Sequence, residues 1–320
     1  MSVYTELTAH DIEHILSSYE LGALRHFEGI AAGIENSNFF VDTEQGRFVL
    51  TVFERLNASE LPYFMRLMRH LAQQGVACPD VMVRGDGSLI FDLDDAGTQK
   101  YGCMVSCLAG KTLDVLNQAQ LRAAGEALAG LHLAGQSFAE QRENPTGTAW
   151  LGETIAQVLP RCAEVYGQAA VDVLRDEWEQ QQAWQFEGLP SGVIHGDLFV
   201  DNILFSGDEV SGVIDFYYAH TAPWLMDVAI ALNAQAMVLG EHDATRMQVW
   251  LDGYQHIRPL TAQEQACLPK LLRLAALRFW VSRLYDALFP REGAMTQVKD
   301  PIEYEQKLLQ HRQASSSATG

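Results

Sequence analysis

Two short runs near the start of the chain concentrate aromatic and β-branched residues. They are Phe39 to Val41 and Phe48 to Phe53, and Glu44-Gln45-Gly46 separates them, a pattern that predicts a β-hairpin. Leu61, Phe64, Leu67, Met68 and Leu71 then recur at the spacing of one helix face, and Gly75 ends the run. Val81-Met82-Val83 and Leu89-Ile90-Phe91, on either side of Gly85-Asp86-Gly87, predict a second hairpin. Tyr101 to Leu108 is a further apolar run, closed by Gly110. Beyond it the period changes. Leu121, Ala124, Leu128 and Leu131 mark a helix from about Gln118 to Ser137, and helical stretches follow near 169–185, 225–239, 244–256 and 263–288. One strand-rich island, Val193 to Phe216, interrupts them. The expected architecture is α+β and two-lobed: a small β-rich N-lobe over 1–106, a large helical C-lobe over 107–314 and a flexible tail over 315–320. Clefts between lobes are preferred places for small ligands.

Charge narrows the partners. The 320 residues carry a formal net charge of −19, which repels nucleic acid and anionic membrane surfaces. No run of about 18 uncharged apolar residues offers a membrane span. The opening segment, with His10, Asp11, Glu13 and His14, lacks the basic start and apolar run of a signal peptide. The five cysteines form no Cys-x-x-Cys pair, and an odd count fits free thiols in a reducing, cytoplasmic setting.

The chemistry concentrates in one segment, His195-Gly196-Asp197-Leu198-Phe199-Val200-Asp201-Asn202. A turn at Ser206-Gly207-Asp208-Glu209 and a second strand follow, and that strand ends at Asp215-Phe216. Asn202 opens the first strand of this hairpin and Asp215 closes the second, so the fold-back brings them close. An amide oxygen and a carboxylate oxygen suit a hard cation such as Mg2+. Asp197, held apart in the preceding loop, suits the carboxylate that orients an attacking hydroxyl and takes its proton. The spacing His-x-Asp-x-x-x-x-Asn, then a hairpin and Asp, matches a kinase catalytic loop and metal-binding Asp. The bland reading of His-Gly-Asp, a capped turn, explains neither Asn202 nor Asp215.

The segment resembles the aminoglycoside-phosphotransferase/choline-kinase superfamily, which has His-Gly-Asp where protein kinases have His-Arg-Asp. Leu128-Ala129-Gly130-Leu131-His132 and Asp227 resemble that superfamily's preceding helix and its later structural Asp. The resemblance spans nearly the whole chain and implies a protein-kinase-like fold using ATP and Mg2+. It implies Asp197 as base, His195 as the residue that orients the loop, and Asn202 and Asp215 as metal ligands. Three stretches, Gly33 to Val41, Gly46 to Glu54 and Gly212 to Ala219, further resemble the type II homoserine kinases. That family phosphorylates the side-chain hydroxyl of L-homoserine on the path to threonine. The likeness places Gly33, Asn36, Ser37 and Asn38 over the ATP phosphates. It places backbone groups of Met104, Ser106 and Leu108 against adenine. Thr51 stands where the superfamily usually has Lys or Arg, and none of the five lysines lies in the first three strands.

A homoserine site needs an acceptor for the ammonium and a cation for the carboxylate. Asp201 is assigned the first, Tyr217 a place in the pocket wall, and Arg283 the second; Arg278 shares the same apolar stretch. Two alternatives remain open. One is another small-molecule kinase of this fold, with choline, methylthioribose, hydroxylysine or an aminoglycoside as acceptor. The other is a non-catalytic nucleotide-binding module, which only the missing Lys supports.

Overall fold

In the computed structural model, residues 5–30, 36–95, 97–237, 244–290 and 299–317 are described. They divide into two compact units: the residues up to Gly110 together with Ser211–Ile214, and Lys111–Val210 together with the residues from Asp215 onward.

The first unit opens with α1 (Ala9–Leu16), where Thr8 and Asp11 cap one another: the Thr8 amide donates to the Asp11 carboxylate at 2.8 Å. Then come β1 (Leu24–Gly29), β2 (Asn36–Thr43), β3 (Gly46–Phe53), α2 (Leu61–Gln73), β4 (Phe91–Asp95) and β5 (Thr98–Ser106). The strands form one antiparallel sheet in the order β1-β2-β3-β5-β4. In β2 every second residue is buried, as the period of a strand with one packed face requires. Phe39, Val41, Leu50 and Val52 on that face pack with Ile12, Ile15 and Leu16 of α1.

The β2–β3 hairpin and α2 match the sequence pattern, but two features depart from it. The region before Gly33 contains α1, whose short apolar face the strand-rich reading of the first hundred residues passes over. The hairpin expected across Gly85-Asp86-Gly87 is absent: that stretch is an irregular turn in which the Gly87 amide donates to the Arg84 carbonyl at 2.8 Å. Val81 bridges Val105 instead, and Phe91 begins β4, which pairs with β5. Of the apolar triplet 81–83 only Val81 makes a bridge, and the triplet itself carried no information about its partner.

The second unit contains α3 (Gln118–Gly135), α4 (Thr148–Val165), α5 (Gln168–Gln182), β6 (Ser191–Ile194), β7 (Ile203–Ser206), β8 (Glu209–Val213, whose end counts with the first unit) and β9 (His220–Pro223). Then follow α6 (Trp224–Ala231), continued by a π-helical stretch Leu232–Ala236, and α7 (Ala244–Ile257), α8 (Ala262–Leu288) and α9 (Pro301–Ser317). The sequence pattern places α3, α5, α6, α7 and α8 to within a few residues and misses α4 and α9. β6 pairs with β9, and β7 with β8. Helices α3 and α7 touch backbone to backbone. A Cβ on Gly125 would lie 2.2 Å from the Trp250 carbonyl oxygen, and one on Gly253 would lie 2.1 Å from that of Arg122. Among the described residues no helix is long and apolar enough to cross a membrane.

Candidate active site

β6 delivers the chain to His195, and the loop that follows is pinned from below by one carboxylate. Asp227, on α6 and fully buried, accepts the backbone N–H of His195 at 2.7 Å and that of Gly196 at 2.9 Å. Its Oδ2 also lies 3.1 Å from His132 Nε2 on α3. The other ring nitrogen of His132 lies 2.8 Å from the Tyr254 hydroxyl. Burial works to raise the Asp227 carboxyl, but the hydrogen bonds from His132 and Gly196 outweigh it and hold the group below its usual range. Burial pushes the His132 imidazole down despite Asp227, so the pair is a carboxylate held by a neutral imidazole N–H.

Gly196 has φ +78°, and a Cβ there would lie 2.8 Å from the Tyr218 carbonyl oxygen, so the middle position of His-Gly-Asp needs glycine. The buried His195 ring accepts the Asp197 N–H at Nδ1 (3.3 Å) and sits 4.8 Å from the Phe216 ring. Asn202, at the end of a one-turn 3-10 helix, donates Nδ2–H to the Asp197 carbonyl at 2.8 Å and to its carboxylate at 3.4 Å. With the amide nitrogen used inward, Asn202 Oδ1 has no partner among the described residues. Asp215 is the only non-glycine described residue with positive φ (66°, ψ 62°). That left-handed conformation is costly for most side chains and clusters at functional sites. Burial pushes the Asp197 carboxyl up to about 8; the Arg278 charge opposes this and the Asp215 charge adds to it.

In the first unit, Gly33 lies outside the described residues, while Asn36, Ser37 and Asn38 open β2. Thr51, buried on β3, pairs in register with Asn38 and donates its hydroxyl to Asn38 Oδ1 at 2.8 Å. Ser37 faces the other way, donating to Glu54 at 2.6 Å and accepting the Thr5 N–H at 2.9 Å. Lys100, from β5, joins Glu54 and Asp95, each at 2.7 Å, and reaches the Thr5 hydroxyl. Along β5, the Met104 carbonyl accepts Met82 N–H at 2.9 Å, and Ser106 N–H donates to the Asp80 carbonyl at 2.9 Å. Leu108 follows the strand.

Among the residues assigned to the acceptor, Asp201 is exposed and pairs with Lys299 at 3.0 Å. Tyr217 lies in the 3-10 turn after Asp215. Arg283, on α8, pairs with Glu303 at 2.7 Å and donates to the Asp300 carbonyl at 2.9 Å.

A model of the phosphotransferase enzyme family matches residues 26–260. A homoserine kinase of Methylobacillus flagellatus is 43% identical over 97% of this chain and 95% of its own length. One of Neisseria meningitidis serogroup B is 42% identical over 97% and 99%. The chain belongs to the homoserine kinases of the phosphotransferase enzyme family. A solved spectinomycin phosphotransferase, in complex with ADP and spectinomycin, superposes with a TM-score of 0.70 over 97% of this chain and 99% of its own, at 13% identity. That likeness establishes the α+β, protein-kinase-like fold.

Two features of this family member escape the sequence. Lys100 supplies a lysine–glutamate pair to the sheet, but from β5 and toward Glu54, 46 residues away along the chain. Arg278 donates to the Gly196 carbonyl at 2.9 Å across 82 residues, and only its place on an apolar helix hinted at a task.

Proposed function

We propose that the protein transfers the γ-phosphoryl group of ATP directly to the side-chain hydroxyl of L-homoserine, giving O-phospho-L-homoserine. The observation that carries this reading is the hydrogen-bonded grouping of Asp197 and Asn202 on a loop held by Asp227, in a chain of the homoserine kinase family. Asp197 is the base. Its high proton affinity suits it to accept the hydroxyl proton as the oxygen attacks, and the Asn202 amide keeps its carboxylate from rotating away. His195 fixes the loop through its acceptor nitrogen and does not take the proton.

Asn202 Oδ1 and the Asp215 carboxylate form a hard-oxygen donor set, and the unpartnered amide oxygen fits a Mg2+ ligand. Bound there, Mg2+ neutralises charge on the phosphates of ATP. In the first unit, the Asn38 side chain offers N–H donors of the kind that suit a phosphate. Thr51 holds its carbonyl oxygen, and its amide N–H groups have no partner among the described residues. A neutral Thr–Asn pair thus stands in for the cationic side chain common at this strand position. Adenine is met by the backbone of Leu108, because the Met104 carbonyl and the Ser106 amide are already engaged.

The test is ADP release from MgATP with L-homoserine, choline, methylthioribose or an aminoglycoside, each beside an Asp197→Asn control. Saturable turnover with homoserine alone, lost in the control while nucleotide still binds, is expected. Turnover only with another acceptor overturns the homoserine assignment, and near-normal turnover by the variant overturns the base.

A further inference from the structure

Among the described residues of the second unit three arginines are buried: Arg258, Arg278 and Arg283. Arg258 pairs with Glu264 at 2.8 Å and Arg283 with Glu303 at 2.7 Å. Arg278 is different. It is 5% exposed, yet it makes one hydrogen bond, from Nη1 to the Gly196 carbonyl, and no ion pair among the described residues. Its guanidinium lies 4.4 Å over the Phe279 ring. A guanidinium offers five N–H donors, and burying its charge without an anion is expensive.

The position of this charge matters. Arg278 is bonded to the residue next to Asp197, and Asp197 is the foremost charge favouring its ionised form. The two are nevertheless not in ion-pair contact. A second unsatisfied group shares the neighbourhood: the Tyr304 hydroxyl, on α9, is fully buried with no hydrogen-bond partner among the described residues and feels the charges of both Asp197 and Arg278. The protein has gathered donors beside its base and left them unused.

We propose that Arg278, with Tyr304 in the same neighbourhood, is the anchor for the carboxylate of the amino-acid acceptor. This rests on the reading of Asp197 as the base that meets the acceptor hydroxyl. Only two methylenes and the α-carbon separate that hydroxyl from the carboxylate, so the anion must be bound close to the base. Arg278 meets that condition with unused donors in a fork that matches a carboxylate. Arg283, five residues on, has its donors directed at Glu303 and Asp300. The site therefore selects hydroxy-amino acids over amino alcohols of the same length.

The experiment measures kcat/KM for L-homoserine and for 3-amino-1-propanol, which is homoserine without its carboxylate. It uses the full chain, Arg278→Met and Arg278→Lys. The wild type is expected to prefer homoserine by roughly a hundredfold or more, the value of a charge-assisted paired contact. In Arg278→Met that ratio collapses, through a rise in the KM for homoserine, and Arg278→Lys restores part of it. A ratio that stays at the wild-type value in Arg278→Met overturns the proposal, because a loop brace or a contact to the phosphoryl group lowers both substrates together. If Arg278→Met does not fold, Arg278→Lys decides in the same way, and a wild type indifferent to the carboxylate overturns the proposal without any variant. A wild type inactive with homoserine would instead overturn the function reading.

Discussion

Asp227→Asn isolates the brace beneath the catalytic loop, because it keeps the shape of the side chain and removes its charge. Three donors converge on the carboxylate: His195 N–H at 2.7 Å, Gly196 N–H at 2.9 Å and His132 Nε2 at 3.1 Å. An asparagine oxygen at the Oδ2 position keeps two of them as neutral hydrogen bonds, each weaker by roughly 0.5–1 kcal/mol. Its NH2 group then faces the Gly196 N–H, and a buried donor left without an acceptor costs about 1–3 kcal/mol. The sum is about 3 kcal/mol, or a fall in Tm of about 6–12 °C. The loop that carries Asp197 also shifts, and misplacement by about an ångström costs on the order of a hundredfold in kcat. Thermal melts followed by circular dichroism, with ADP-release rates on the same preparations, measure both effects. Asp201→Asn, at an exposed pair with Lys299, is the control and should leave Tm unchanged within about 1 °C. A melting point for Asp227→Asn within about 2 °C of wild type, with kcat within twofold, would refute the brace.

Other outcomes follow from the same geometry. Asn202→Ala and Asp215→Ala should each move the Mg2+ titration of ATP binding to higher concentration, and superimposable curves remove the metal assignment. Lys100→Met strands the Glu54 carboxylate, with both side chains at most 15% exposed, and should lower the urea unfolding free energy by about 3 kcal/mol; an unchanged midpoint contradicts this. In Asp197→Asn, which removes the opposing proton uptake of a folded carboxyl raised to about 8, stability should also fall as pH drops from 7 toward 5. Burial keeps His132 and His220 below their ordinary value of 6.5, so the unfolded chain takes up protons in that window and the folded chain does not. The loss from Asp227, whose folded carboxyl lies below 3.8, comes only in stronger acid. Urea midpoints of Asp197→Asn that stay flat from pH 7 to 5 count against the histidine reading.

The grouping proposed for catalysis rests on local signals: Asp197 and Asn202 lie five residues apart, and only one hairpin intervenes before Asp215. The β2–β3 hairpin was legible for a similar reason, since alternation and a turn are both short-range signals. α4 was not, because its interior Pro160 and mixed face blur the helical period. The triplet 81–83 misled because a strand's pairing partner is a long-range choice, settled here by Val105. The anionic network of Lys100 and the lone charge of Arg278 depend on residues far apart in sequence, so no window could join them. Arg283 and Arg278 look alike on one helix, and only the presence of Glu303 tells them apart.

The seam between α3 and α7 sets a limit on how this sequence can drift. At Gly125 and Gly253 the neighbouring backbone occupies the place of a Cβ, so even alanine forces two helices apart. Gly130, on the same helix as Gly125, has nothing within 4 Å of that point and accepts any helix former. His132 lies on α3 and Tyr254 on α7, one residue past the contact, and together they hold Asp227. Gly125 and Gly253 thereby bear on the loop that carries Asp197, and what excludes any other residue at either place is steric rather than chemical.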